Sequence, residues 1–150
     1  MKTAVIIGSE GQDGQYLFNY LKLIQYRVIG VGRNTIRTNL DEDIQPLNIN
    51  SLEEVSSFIM KICPDEIYYL AAHHHSSEDV IKDEGSLINL SYQTNVIAYT
   101  HFLESIRIYI PQTRIFYAAS SHIYGNPKGV IQSEITKHNP NSIYAITKCN

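Results

Sequence analysis

A doubly wound α/β fold of the Rossmann type is the class this sequence predicts, on three observations. The first is the stretch from Thr3 to Tyr26: a short apolar run, Ala4 to Ile7, then Gly8, Gly11 and Gly14, then Leu17, Leu21 and Ile24 at helical spacing. The second is alternation along the chain of short apolar runs with helical patterns, which demands parallel strands joined by right-handed crossovers. The third is composition, since 150 residues with 43% apolar and 18% charged content suit one domain with a real core.

Each element carries its own signal. Ala4 to Ile7 is too short for a helix and is bounded by glycine, so it reads as a strand buried on both faces. Gly8-Ser-Glu-Gly11-Gln12-Asp13-Gly14 is spaced GxxGxxG rather than GxGxxG. Glycines permit a tight turn and close approach of a ligand, and the helix N-terminus behind them offers amide donors to a pyrophosphate. The same glycines alone would suit a surface loop; the strand before and the helix after favour the phosphate turn.

Val28 to Val31 forms a second strand ending at Gly32-Arg33-Asn34, where the adenosine ribose of a cofactor lies in such folds. An acidic residue ~20 positions past the glycines selects NAD, whereas an arginine holds the 2′-phosphate of NADP. Arg33 therefore predicts NADP over NAD, with Arg37 a second candidate, against the plain alternative of a solvated arginine.

Asn34 to Gln45 is polar and reads as loop, and Pro46 to Ile49 as a third strand. Ser51-Leu-Glu-Glu54 is a capping box opening a helix with Val55, Phe58, Ile59 and Ile62 on one stripe, stopped by Pro64. Glu66 to Ala72 is the fourth strand, with His73, His74 and His75 at its C-terminal edge, where ligands bind in open α/β sheets. Consecutive residues of an extended chain point to opposite sides, so these three are read as a cofactor-lining loop rather than a metal site. Ile81 to Asn89 carries no decisive pattern. Tyr92, Val96, Tyr99, Leu103, Ile106 and Ile110 trace one face of a long helix from Ser91 to Ile110. Arg114 to Ala119 is the fifth strand, running into Ser120 and Ser121; Gly125 to Asn141 is loop, and Ser142 to Asn150 begins another helix.

Charge and apolar patterning exclude several classes. A net charge of −3 without a lysine or arginine run argues against a nucleic-acid surface. No apolar stretch approaches the ~20 residues of a membrane span, and no cleavable signal precedes the first strand, so a cytoplasmic protein is expected. Cys63 and Cys149 are too far apart for a disulfide framework or zinc spacing.

Tyr144 and Lys148 sit four apart at the start of the last helix and share a face. An ammonium beside a phenol favours the phenolate, which makes the pair a candidate acid or base. The spacing alone is weak: Tyr124 and Lys128 repeat it, with Gly125 and Pro127 between them preventing a helix. Ser120, at the end of the preceding strand, adds a hydroxyl that could donate to a substrate oxygen.

In their order, the Gly8/Gly11/Gly14 turn, Leu70-Ala71-Ala72 followed by His75, Asn95, Ser120 with Tyr124-Gly125, and Tyr144-Ala-Ile-Thr-Lys148 resemble the extended short-chain dehydrogenases/reductases that act on nucleotide sugars. Gly11-Gln12-Asp13-Gly14 with Tyr16-Leu17, the Arg33 strand end and Pro140-Asn-Ser-Ile-Tyr144 are most similar to the GDP-mannose 4,6-dehydratase branch, whose cofactor is NADP. The resemblance covers almost the whole chain. It implies that the glycine turn with Gln12 and Asp13, Arg33, Asn48 and Ile49, Leu70 to Ala72, His75, Asn95, Tyr144 and Lys148 line the cofactor. It also implies that Tyr144, with Lys148 and Ser120, deprotonates a sugar 4-hydroxyl while hydride leaves C4, the nucleotide-linked sugar being GDP-mannose as first choice.

There are departures. His122 stands where the dehydratases carry the glutamate that removes the C5 proton, which leaves a 4-epimerase or 4-keto reductase open. Ile7 replaces a frequent threonine and Asn48 a frequent aspartate near the adenine. The family continues into a C-terminal substrate domain, so residues 1–150 are expected to be its cofactor-binding portion, catalytically incomplete alone and homo-oligomeric through its long helices. A non-catalytic NADP-binding module is the alternative.

Overall fold

The computed structural model describes residues 1–32, 44–74, 83–127 and 131–149. Arg33, Arg37, His75 and Lys128 lie outside these. The chain forms two compact units, Met1–Ala71 with Ala98–Ala118, and Ala72–Ile97 with Ala119–Asn150.

The first unit is a five-stranded parallel sheet in the order β3-β2-β1-β4-β5, with β1 (Thr3–Ile7) at its centre. Its neighbours are β2 (Arg27–Gly32) and β4 (Glu66–Tyr69); β3 (Ile44–Pro46) and β5 (Arg114–Tyr117) follow on either side. Side chains alternate across the pleat. Val5, Ile7, Ile29, Val31, Ile67 and Tyr69 pack against α2 (Leu52–Ile62) and α4 (Ala98–Tyr109), while Ala4, Ile6 and Val28 pack against Phe18 and Leu21 of α1 (Gln12–Leu23). Helices thus cover both faces, as the alternating pattern predicts. Ser56 and Ser105 lie 3.0 Å apart between α2 and α4, small side chains that let the two helices approach closely.

Glu66 ties the start of β4 to its surroundings. Its carboxylate accepts from Lys2 Nζ at 3.2 Å, Arg114 at 2.7 Å and the Tyr68 hydroxyl at 2.8 Å. Tyr69 anchors the opposite face: its ring meets Tyr99, Phe102 and Tyr117 at centroid distances of 5.3, 5.6 and 6.0 Å.

In the second unit α3 (Glu84–Tyr92) runs into a π-helical turn (Gln93–Ile97), a 3₁₀ turn spans Ser121–Tyr124, and α5 covers Ile143–Lys148. Among the described residues no helix is long and apolar enough to cross a membrane.

Several boundaries differ from expectation. The third strand pairs over Ile44–Pro46, earlier than Pro46 to Ile49, because its register on β2 ends at Gly32. The fourth and fifth strands stop at Tyr69 and Tyr117, since β1 turns away at Gly8 and the ladder loses its partner; single bonds from Leu70 to Ile7 and Ala118 to Tyr69 continue it. On α1 the inward face is Gly14, Phe18 and Leu21, with Ile24 45% exposed. The long helix begins at Glu84, capped by Asp83 Oδ1 accepting from Gly85 N–H. Over residues 91–110 the buried line is Ser91, Asn95, Ala98, Phe102, Ser105, Ile106 and Ile110, with Tyr92 and Leu103 outward. Small and polar residues take the inward positions of the first half, where an apolar count misses the stripe, whereas Ile106 and Ile110 face inward as predicted. The α2 stripe and its Ser51 cap, accepting from Glu54 N–H at 3.2 Å, are as predicted.

Candidate functional site

In the first unit the candidate site is the turn between β1 and α1. Gly8 adopts φ +90°, and a Cβ there would stand 2.8 Å from Ala71 N. At Gly14 a Cβ would stand 2.8 Å from Ser9 Cα, so this glycine lets α1 close onto the turn. Gly11 is different: among the described residues a Cβ there would meet only Gly8 O, at an ordinary 3.4 Å. Protein packing therefore explains Gly8 and Gly14 but not Gly11. Gly11 is also the N-cap of α1 and makes no side-chain cap bond to the amides of the first turn. Ser9 Oγ is buried with no hydrogen-bond partner in the structure. An open, glycine-lined helix N-terminus with an orphaned hydroxyl beside it fits the pyrophosphate of a dinucleotide. The Leu70–Ala71 backbone passes beside Gly8.

Asn48 and Ile49 are engaged locally. The Asn48 side chain accepts from Asn50 N–H at 3.2 Å, its N–H donates to Glu54 at 3.3 Å, and the Ile49 carbonyl lies 3.1 Å from His101 Nδ1.

The second unit gathers the reactive groups. Ser142 caps α5 by accepting from Ala145 N–H at 3.2 Å, and the single turn behind it carries Tyr144 and Lys148. Lys148 is only 3% exposed, and burial pulls its ammonium pKa down to about 8. Its Nζ lies 6.0 Å from the centroid of the Tyr144 ring. Two imidazoles meet that ring edge-on, His74 at 4.6 Å and His122 at 5.9 Å between centroids. Ser120 caps the 3₁₀ turn that holds His122, accepting from His122 N–H at 3.2 Å. Lys148 and His122 thus lie around the Tyr144 ring, and Ser120 caps the turn that carries His122. Tyr124, the decoy, sits in the 3₁₀ turn with its hydroxyl on Ser133 O at 3.3 Å.

Asn95 is wholly buried. Its Oδ1 accepts from His73 N–H at 2.8 Å, and its Nδ2 donates to Thr147 Oγ1 at 2.9 Å and His73 O at 3.3 Å. Thr147 Oγ1 in turn donates to Tyr144 O at 3.0 Å. The expected cofactor contact is thus a buried brace, joining the histidine segment to the turn that bears Tyr144. Sequence reasoning missed His74 as a neighbour of Tyr144 and Thr147 as the link; the histidine run was the available signal for the first. Among the described residues no cluster of three metal-ligating side chains occurs.

A Rossmann-like sheet with a glycine turn, together with serine, tyrosine and lysine in this order, defines a protein of the short-chain dehydrogenase/reductase class. Comparison with known proteins narrows it: a family model described as GDP-mannose 4,6 dehydratase matches residues 5–150, and the chain belongs to that family. The GDP-mannose 4,6-dehydratase of Yersinia enterocolitica is 30% identical over 99% of this chain and 43% of its own length. GDP-mannose 4,6 dehydratase 2 of Arabidopsis thaliana is 32% identical, again over 99% of this chain and 43% of its own. The chain spans less than half the length of these relatives. Among solved structures, the UDP-glucose 4-epimerase of Brucella ovis in complex with NAD superposes with a TM-score of 0.82 at 19% identity, over 99% of this chain and 45% of that one. The Bordetella bronchiseptica enzyme WbmH in complex with NAD+ gives 0.81 at 22%, over 99% and 50%. At these identities the likeness establishes the fold.

Proposed function

We propose that this chain is the dinucleotide-binding part of a nucleotide-sugar enzyme that oxidises its substrate at C4, with GDP-mannose the first substrate to test. The observation that carries the reading is Tyr144 on a capped helical turn, with buried Lys148 on the same face and two imidazoles against its ring. The glycine turn would hold the pyrophosphate of a dinucleotide, which when bound would supply the hydride acceptor. Tyr144 takes the proton of the sugar 4-hydroxyl, Ser120 donates to the same oxygen, and Lys148 holds the nicotinamide ribose and stabilises the phenolate. Burial of Lys148 strengthens that electrostatic effect, because water screens it less.

His122 favours a second reading. It stands where the dehydratases carry glutamate, so proton removal at C5 falls to an imidazole, or no elimination occurs and the product is a 4-epimer or a 4-hydroxy sugar. Proton NMR of sugar products separates these, using GDP-mannose and dinucleotide with this chain and with any longer product of its gene. A 4-keto-6-deoxy product that vanishes in Tyr144→Phe supports dehydration; inversion at C4 without loss of water assigns an epimerase. Failure of the chain to bind either NAD or NADP would sink the proposal.

A further inference from the structure

We infer that His74 is a positioning residue for Tyr144: its imidazole sets the plane of the phenol ring and with it the direction of the hydroxyl. The inference rests on the reading of Tyr144 as the group that takes the sugar proton. The two rings meet at 4.6 Å between centroids with their planes 86° apart. Edge-to-face contact is a preferred geometry of aromatic pairs, so such a neighbour fixes orientation as well as distance. Among the described residues no hydrogen bond joins the two side chains, so the contact orients the ring without offering a path for its proton.

His74 can act as a stop because the backbone beside it is fastened to the turn that carries Tyr144. His73 N–H donates to Asn95 Oδ1 at 2.8 Å, Asn95 Nδ2 donates to Thr147 Oγ1 at 2.9 Å, and Thr147 Oγ1 donates to Tyr144 O at 3.0 Å. Asn95 and Thr147 are wholly buried, which keeps competing water from these bonds. Asn95 lies within the π-helical turn Gln93–Ile97, an irregularity of a kind that recurs at functional sites. Residues 73 and 74 therefore grip α5 twice, once through the carbonyl of Tyr144 and once through its ring.

The second grip matters because Tyr144 is half-buried and stands in the first turn of a six-residue helix. Such a side chain has little packing of its own to hold one rotamer. His122, at 5.9 Å, is the more distant of its two imidazole neighbours. A reacting group displaced by about 1 Å can lose on the order of 100-fold in rate, so the ring's orientation bears directly on the chemistry.

Nuclear Overhauser contacts between tyrosine and histidine rings, measured in the isotopically labelled chain with Tyr144→Phe identifying the Tyr144 signals, test this. The parent is expected to show contacts from the Tyr144 ring to both imidazoles. In His74→Ala the contact between Tyr144 and His122 should weaken several-fold although His122 is untouched, and His74→Phe, which keeps a ring edge at that position, should restore it. Urea midpoints of the variants check the fold. An unchanged contact between Tyr144 and His122 in His74→Ala overturns the inference. In the longest product of the gene that turns over, His74→Ala is expected to lower kcat about tenfold or more with KM within about twofold of the parent, and His74→Phe to recover most of the loss. A loss that His74→Phe leaves in place makes the imidazole a proton carrier and overturns the positioning role. Full turnover in Tyr144→Phe removes instead the reading of Tyr144 itself, and this inference with it, whatever contacts the rings make.

Discussion

At the scale of single residues, Asn95 illustrates how a buried amide can hold a reactive side chain it does not touch. Its hydrogen bonds run to the His73 backbone and to Thr147 Oγ1, and Thr147 passes the restraint to the carbonyl of Tyr144. Removing the amide strands polar partners away from water, which costs more than the hydrogen bonds contribute on balance. Asn95→Ala is expected to lower stability by roughly 1–3 kcal/mol, read as a shift of the urea midpoint. The resemblance singled out Asn95, but its bonding partners were not legible in the sequence. A polar residue within a helical run looks the same whether it faces a ligand or braces a neighbouring backbone, and only the partners decide.

At the scale of elements, the glycine turn separates two kinds of glycine that a motif writes with one letter. Gly14 is demanded by the contact of α1 with Ser9, Gly11 by nothing among the described residues. Gly14→Ala should destabilise the fold by about 1–3 kcal/mol, the range for forcing an extra methyl into a packed contact. Gly11→Ala should leave the urea midpoint within about 0.5 kcal/mol of the parent and yet weaken dinucleotide binding. A loss of stability in Gly11→Ala equal to that in Gly14→Ala would remove the argument that an approaching ligand explains Gly11. Strand and helix order, the Ser51 cap and the α5 start at Ser142 were legible because each rests on local chemistry. The ends of β4 and β5 were not, because a strand stops where its neighbour leaves, which no local signal records.

At the scale of the whole molecule, the response to acid follows from Glu66. Burial raises its pKa, but hydrogen bonds from Tyr68 and Lys2 and the charges of Lys2 and Arg114 outweigh this and hold it below the ordinary 4.5. Its folded pKa being depressed, the cluster's stabilisation is fully present above the unfolded value and is lost as pH falls through the folded one. Glu66→Gln should therefore cost roughly 1–3 kcal/mol at neutral pH and progressively less below about pH 4. Urea denaturation at a series of pH values checks this, and a cost independent of pH would show that charge is not the source. The same carboxylate, with burial as the larger cause, pushes the Tyr68 hydroxyl up to about 12. The doubly wound class and the tyrosine–lysine pair were legible at this scale from order and spacing. The approach of the Glu10 side chain to Gly32 was not, since residues 10 and 32 meet only once β1 and β2 are paired.

The ring of Tyr69 has an optical consequence. The chain contains no tryptophan, so its near-ultraviolet dichroism arises chiefly from tyrosine. Tyr69, enclosed by Tyr99, Phe102 and Tyr117, with Tyr99 and Tyr117 only 4.3 Å apart, supplies the asymmetric surroundings that make such bands intense. Burial also raises its phenol pKa far above the ordinary 10.0, so in alkali this chromophore stays dark at the phenolate wavelength while solvated tyrosines ionise. The core of the sheet thus carries its own reporter, readable without a label or an introduced fluorophore.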